Sequence, residues 1–413
     1  MEQAEIKVYG AHWCPDCRRS KQFLGEHQIP YAWVDIEENR EAEDLVITLN
    51  QGKRIIPTIV FGDGSYLVEP SNAELAAKLG LKTSARRNHY DVIVLGGGPA
   101  GLTAALYTAR EALDTLVIER AALGGQAAGT ERLENMPGFP EGVGGMEFSE
   151  RLRRQAERFG VELLQAQDVT GVRSHHNYHC VTTADGKEYS ARALLVSTGS
   201  TYKRLNVPGE NDYLGAGVHF CATCDGPFYR GKRVAVVGGG NSAAEESLFL
   251  TKFAEHVTIL VRGDRFRATQ IIQDKVLGNP QITVRWQTEV REFLGAGSKL
   301  RALRVWNNKT GSEEILPVDG AFIFIGLTPN TGFLEGSGIN LDGWGFVVTG
   351  RELIQGGRRP AAYEGRDPHL LETSVPGIFA AGDVRDDSTK QVASAAGEGA
   401  SAALMMREYL KGI

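Results

Sequence analysis

Two glycine runs constrain this chain more than any other feature. Tyr90 to Leu95 reads as a buried strand, Gly96-Gly97-Gly98-Pro99-Ala100-Gly101 follows, and a helix of small residues comes next. The arrangement recurs: Arg233 to Val237 is a strand, and Gly238-Gly239-Gly240-Asn241-Ser242-Ala243 opens a second helix. Gly96, Gly98 and Gly101 match a G-x-G-x-x-G turn between strand and helix. Such a turn is tight and lets backbone N–H groups at the helix N-terminus receive a pyrophosphate. Gly238, Gly240, Asn241 and Ser242 hold the matching places in the second copy. The chain is therefore expected to be α/β, with two dinucleotide-binding units. Its glycine content, 50 of 413 residues, has no triplet period and fits ligand-approaching turns.

The strand after each turn separates the two ligands. Thr115 to Ile118 ends at Glu119, about 20 residues beyond Gly96, where a carboxylate holds ribose hydroxyls. His256 to Val261 ends instead at Arg262, with Arg267 close behind. A guanidinium binds a 2′-phosphate that a carboxylate would repel. The expectation is FAD at the first unit and NADPH at the second.

The chain has 5 cysteines, and four form two C-x-x-C pairs, Cys14/Cys17 and Cys221/Cys224. Zinc and redox dithiols are the two readings. The contexts W-C-P-D-C-R-R and C-A-T-C-D-G lack zinc-ribbon surroundings, so no metal is expected. Cys180 reads as a packed strand residue. His175, His176 and His179 read as a polar hairpin tip.

Residues 1–81 read as a small α/β domain with strands at Ile6–Tyr9, Tyr31–Asp35 and Ile55–Phe61. Helices are expected at Cys14–His27, Ala42–Leu49 and Ser71–Leu79, the last with Ser71 and Glu74 as a capping box. A cysteine at a helix N-terminus is favoured as thiolate by the unpaired N–H groups there. Arg18, Arg19 and Lys21 add to this, or form a solvated face, and Asp16 opposes it. Residues 82–88 have no apolar period and read as a short linker.

W-C-P-D-C together with Ile56-Pro57-Thr58 resembles the glutaredoxin family. The resemblance implies a cis proline beside the sulfurs, Cys14 as exposed nucleophile and Cys17 as resolving thiol. Val68 to Asn72 reads V-E-P-S-N where glutathione-binding members carry a Gly-Gly turn and an Asp. The segment looks closer to the mycoredoxin branch, which acts on a different low-molecular-weight thiol.

Net charge is −6, which argues against nucleic acid as a partner. Met1 to Gly10 is acidic and lacks the apolar core of a signal peptide. The longest uncharged run, Val92 to Ala109, is broken by glycine and proline, so a membrane partner is not expected. A soluble, cytoplasmic protein is the expectation.

Residues 88–413 resemble low-molecular-weight thioredoxin reductase. The matches include both glycine turns, Gly124-Gly125-Gln126, Glu134-Asn135, Ser197-Thr198-Gly199, C-A-T-C-D-G, Phe266-Arg267-Ala268, Thr328-Pro329-Asn330 and the run ending at Val384. The whole is expected to be a thioredoxin fold (glutaredoxin-like) fused to two Rossmann-like folds of the thioredoxin reductase type. The resemblance implies a split FAD domain, 89–205 and 329–413, around an NADPH domain, 206–328. It puts Gln126, Asn135, Asp383 and Gln391 at FAD-contacting positions. It implies an NADPH-dependent, FAD-containing dithiol oxidoreductase, homodimeric, in which Cys224 lies nearer the flavin and Cys221 attacks the substrate disulfide. Asp225 would protonate the departing thiolate, its other reading being a turn-stabilising side chain. His219 is a further candidate for proton transfer. Domain rotation would need flexible crossings near Thr201–Leu205 and Pro329–Thr331.

The expected electron path is NADPH, FAD, Cys221/Cys224, Cys14/Cys17, then an external disulfide. That disulfide belongs to thioredoxin, a low-molecular-weight thiol or a peroxiredoxin. The alternative is a flavoprotein that reduces peroxiredoxin, as in alkyl hydroperoxide reductase. Two departures stand out. Val261-Arg262-Gly263-Asp264 has one arginine where the family has two. Gly350 to Asp367 is an insertion, expected as a surface loop.

Overall fold

The computed structural model describes residues 6–11, 13–27, 29–130, 132–133, 135–175, 178–297, 299–355 and 359–412. His176 and Glu134 lie outside these residues, as do the side chains of Arg18 and Cys224. Among the described residues no helix is long and apolar enough to cross a membrane.

The N-terminal fold is a four-stranded sheet in the order Tyr31–Asp35, Ile6–Gly10, Thr58–Val60, Tyr66–Val68. The first pair is parallel and the other two are antiparallel. Helices run over Pro15–Glu26, Arg40–Leu49 and Asn72–Lys78. Ser71 caps the last of these, and its capping box with Glu74 is fully formed. The strand Tyr66–Val68, which the sequence reading did not assign, pairs with Thr58–Val60 and closes the sheet edge.

Residues 82–88 carry no helix or strand. Their backbone is held on the next fold: the Lys82 carbonyl accepts the Gln165 N–H at 2.9 Å, and Arg86 N–H donates to Glu162 at 2.8 Å. Arg87 pairs with Asp114, and Ala166 packs onto the N-terminal core.

The described chain divides into two compact units. One holds residues 1–129, 145–199 and 330–413; the other holds 130–144 and 200–329. In the first, Glu162–Leu164, Thr115–Ile118, His89–Leu95 and Glu188–Val196 lie side by side as parallel neighbours. The hairpin Val169–His175/Tyr178–Thr183 continues the sheet, and Ile378–Ala380 joins along Glu188–Val196. The helix Pro99–Arg110 packs against the C-terminal helix Val392–Lys411 through small residues such as Ala104, Ala402 and Ala403. His179 does not sit at a polar hairpin tip. It is 2% exposed, its ring bonds Ser174 at 2.9 Å, and burial lowers its pKa to about 4. Cys180 is buried beside it.

Where it is described, the insertion Gly350–Asp367 is largely exposed, as expected of a surface loop, and is anchored by the buried Leu353 and Tyr363. Tyr363 is fully buried and donates to the Thr373 carbonyl at 2.6 Å. Arg366 grips the fully buried Glu372 with both terminal nitrogens, at 2.7 and 2.6 Å.

The second unit has a five-stranded parallel sheet, in the order Val218–His219, Gly320–Ile323, Arg233–Val237, His256–Val261, Ile282–Trp286. A three-stranded antiparallel sheet, Thr288–Ala296, Lys299–Asn307 and Ser312–Pro317, adds its apolar face to the core. The 200–329 stretch begins and ends on a paired ribbon: Ser200–Tyr202 runs antiparallel to Leu327–Pro329. Just before and after it, Thr198 and Asn330 exchange side-chain bonds to each other's carbonyls at 2.7 and 2.8 Å.

Candidate active site

Cys14 is the N-cap of the helix Pro15–Glu26, and its sulfur accepts the Cys17 N–H at 3.1 Å. That bond fixes the Cys14 sulfur at the helix N-terminus. The Cys14 thiol donates to the Ile56 carbonyl at 3.7 Å, and Ile56-Pro57 is cis. Both thiols are free. Burial pushes the Cys17 thiol up to about 12, with Cys14 and Asp16 adding to the rise. Cys14 is not exposed as expected. It is 4% exposed, because the cap position turns it inward among Ala11, Ile36 and Ile56. Trp13, 59% exposed, stands at the surface instead, its indole N–H on Glu37 at 3.0 Å. Arg19 pairs with Asp16, and Lys21 lies over the Trp33 ring at 4.1 Å. Neither is a free cation beside the sulfur.

In the first dinucleotide fold a Cβ on Gly96 would lie 2.4 Å from the Ser197 carbonyl oxygen, and on Gly101 1.9 Å from that of Gly96. On Gly98 it would meet nothing within 4 Å. The turn is therefore packed from below and open above, and Gly98 caps its helix without a side chain. The donor set fits a pyrophosphate. Glu119 accepts from the Gly97 N–H at 2.6 Å and the Ala121 N–H at 2.8 Å. Burial pushes its carboxyl up against those bonds. The Gly124 N–H donates to the Gly97 carbonyl at 2.7 Å, which ties the Gln126 helix, Gly125–Ala128, to the turn. Gln391 caps the C-terminal helix. Burial raises Asp383, whose carbonyl accepts from Lys390 Nζ at 2.9 Å. Asn135 falls in the 130–144 segment, which groups with the second unit. Sequence reasoning missed Lys390 and Glu398. Glu398 accepts the Gly382 N–H at 2.7 Å and pairs with Arg385 at 3.0 Å.

The second turn repeats the design. A Cβ on Gly238 would meet the Phe324 carbonyl at 2.3 Å, and on Gly240 nothing within 4 Å. Asn241 accepts the Thr269 N–H at 2.8 Å, and the Arg267 N–H donates to the Gly239 carbonyl at 2.7 Å. Ser242, Arg262 and Arg267 are exposed around this turn. The set suits a phosphorylated dinucleotide.

Cys221 is disulfide-bonded and precedes the one-turn helix Ala222–Asp225, which carries Cys224. The Asp225 N–H bonds the Cys221 carbonyl at 3.1 Å. The Asp225 carboxylate lies 3.2 Å from Nδ1 of His219.

Two glycine turns that fit dinucleotides and a disulfide-bonded Cys221 in a C-x-x-C narrow the comparison. Residues 90–399 match the family model of pyridine nucleotide-disulphide oxidoreductases. A thioredoxin reductase of Listeria innocua is 40% identical over 322 residues, 78% of this chain and 94% of the relative. The chain belongs to the thioredoxin reductase family. The Bacillus subtilis thioredoxin reductase is also 40% identical over 322 residues. The solved Streptococcus pyogenes thioredoxin reductase superposes with a TM-score of 0.71 at 37% identity, covering 79% of this chain and 99% of that one. Residues 6–66 match the glutaredoxin model. The protein is a thioredoxin reductase-type flavoprotein, an oxidoreductase of disulfides with FAD and NADPH as the family's cofactors, and it carries a glutaredoxin domain at its N-terminus.

Proposed function

We propose that the two dithiols work in series, Cys221/Cys224 passing electrons to Cys14/Cys17 and these to an external disulfide. NADPH supplies a hydride and FAD delivers its two electrons to a disulfide. Gly96, Gly98, Gly101, Glu119, Gln126, Asn135, Asp383 and Gln391 would hold the FAD. Gly238, Gly240, Asn241, Ser242, Arg262 and Arg267 would hold the NADPH.

Once the pair is reduced, the Cys221 thiolate attacks the Cys14–Cys17 disulfide. One S–S bond forms and one breaks, and the departing thiolate takes a proton from Asp225. Cys224 then displaces the mixed disulfide, which restores the Cys221–Cys224 bond and frees the second thiol. Cys14 repeats the attack on the external disulfide, and Cys17 resolves it. The observation that carries this reading is the Cys17 N–H bond to the Cys14 sulfur on a chain that also holds a reductase dithiol. Typical potentials run the same way. A thioredoxin-like dithiol near −270 mV feeding a glutaredoxin near −215 mV releases roughly 2.5 kcal/mol. A shared chain keeps the local dithiol concentration near mM, by order of magnitude.

The test is an anaerobic NADPH titration of fully oxidised protein, following flavin absorbance and free thiols. The wild type is expected to consume one equivalent for the flavin and one for each disulfide. A Cys14→Ser/Cys17→Ser variant should consume one fewer. Equal uptake, with Cys14 and Cys17 still oxidised, overturns the relay.

A further inference from the structure

We propose that His219, steadied by Tyr229, is a positioning residue for Asp225 that holds its carboxylate in one orientation between turnovers. This rests on the reading of Asp225 as the proton donor to the departing thiolate.

The chain places His219 for this task. It ends the short edge strand Val218–His219, which pairs in parallel with Ala321–Phe322. Two residues later comes Cys221, and Asp225 closes the following helical turn. His219 is 7% exposed. Its imidazole is boxed by aromatic rings, with Tyr229 edge-on at 5.3 Å and Phe322 at 5.2 Å. A ring so enclosed has one orientation, and both of its nitrogens are engaged. Nδ1 faces Asp225 at 3.2 Å, and Nε2 faces the Tyr229 hydroxyl at 2.6 Å.

The tautomer follows from counting donors. Burial pushes the Tyr229 hydroxyl well above the ordinary tyrosine range, with Asp225 and Asp319 adding to the rise, so it keeps its proton. That O–H donates to Nε2, Nδ1 carries the ring proton, and Nδ1–H donates to Asp225. Every donor then meets an acceptor without a charge on the ring. The charged groups that act on Tyr229 are Asp225, Asp319 and Lys232. Lys232 lies over the Tyr229 ring at 5.3 Å.

The contact with Nδ1 ties the half-buried carboxylate to a ring that cannot turn. Without His219, Asp225 would rotate freely. With it, Asp225 is returned to one geometry after each proton is given up.

The test separates orientation from bulk. His219→Leu is expected to slow NADPH-driven reduction of an aromatic disulfide about tenfold, as loss of a hydrogen bond to a charged group does, while the rate of flavin reduction by NADPH stays unchanged. His219→Asn keeps an N–H near the place of Nδ1 and should restore most of the rate. Tyr229→Phe should give an intermediate loss. In an Asp225→Asn background, His219→Leu should cost nothing further. A wild-type rate in His219→Leu, or an equal loss in His219→Asn, overturns the positioning role. A wild-type rate in Asp225→Asn overturns the underlying acid assignment instead.

Discussion

Gly101 lies so close to Gly96 that any side chain on it would strike the Gly96 carbonyl, a built Cβ falling 1.9 Å from that oxygen. Gly98, two residues after Gly96, opens onto space where the chain itself has no atom within 4 Å of the same point. The two positions should therefore fail differently. Gly101→Ala should destabilise the fold and lose flavin together. Gly98→Ala should melt like the wild-type apoprotein yet bind FAD more weakly, because only the ligand meets its methyl group. Apoprotein melting curves and flavin-to-protein absorbance ratios check both, and equal flavin content in Gly98→Ala would reject this assignment of the turn.

Cys17 should be the slow thiol of the N-terminal pair. With its pKa pushed up to about 12 by burial first, then Cys14 and Asp16, about one molecule in ten thousand is thiolate at pH 8. Iodoacetamide on the reduced protein, resolved by peptide mass spectrometry, should mark Cys14 first. Asp16→Asn should speed Cys17 labelling. Equal rates at the two cysteines would contradict the structure.

Removing Arg366 should be costly. Burial alone pushes the Glu372 carboxyl up, but Arg366 and the N–H groups of His369 and Gly377 outweigh it, leaving the group below the usual range. A depressed folded pKa means stability that is present above the unfolded value, about 4.3, and lost as pH falls through the folded one. Arg366→Met should lose about 3 kcal/mol at neutral pH and show a smaller further loss on acidification. Urea unfolding at pH 7 and pH 4 tests both parts.

Arg262→Ala should raise the KM for NADPH about tenfold or more and leave that for NADH nearly unchanged, since only the 2′-phosphate needs the guanidinium. Arg267→Ala should act in the same direction without disturbing the turn, because its bond to Gly239 is made by backbone. Parallel losses with both coenzymes would place these arginines elsewhere.

What could be read beforehand was local. Ser71 with Glu74, the two glycine turns, and strands ending at Glu119 and Arg262 are set by residues within one turn or one strand of each other. What could not be read depends on partners far along the chain. Tyr66–Val68 is a strand only because Thr58–Val60 lies beside it. Tyr363 and Arg366 sit in a Gly- and Arg-rich stretch with no apolar period; the burial of Tyr363 and the ion pair of the exposed Arg366 depend on Thr373 and Glu372. Cys14 was expected outside because nucleophiles must be reached, but the inward-turned cap decides its exposure. His219 was visible as a neighbour of Cys221, whereas its bond to Tyr229 needs the chain to fold back on itself.

The pairing of Ser200 with Pro329 has a consequence for how such a chain can change over time. Everything between those residues departs and returns at one doorway, which Thr198 and Asn330 latch from the other side. To the surrounding fold the whole intervening stretch has the topology of a hairpin tip. Loop-closure entropy rises only slowly with length, so that tip can grow, shrink or be exchanged as a cassette while the host sheet keeps its register.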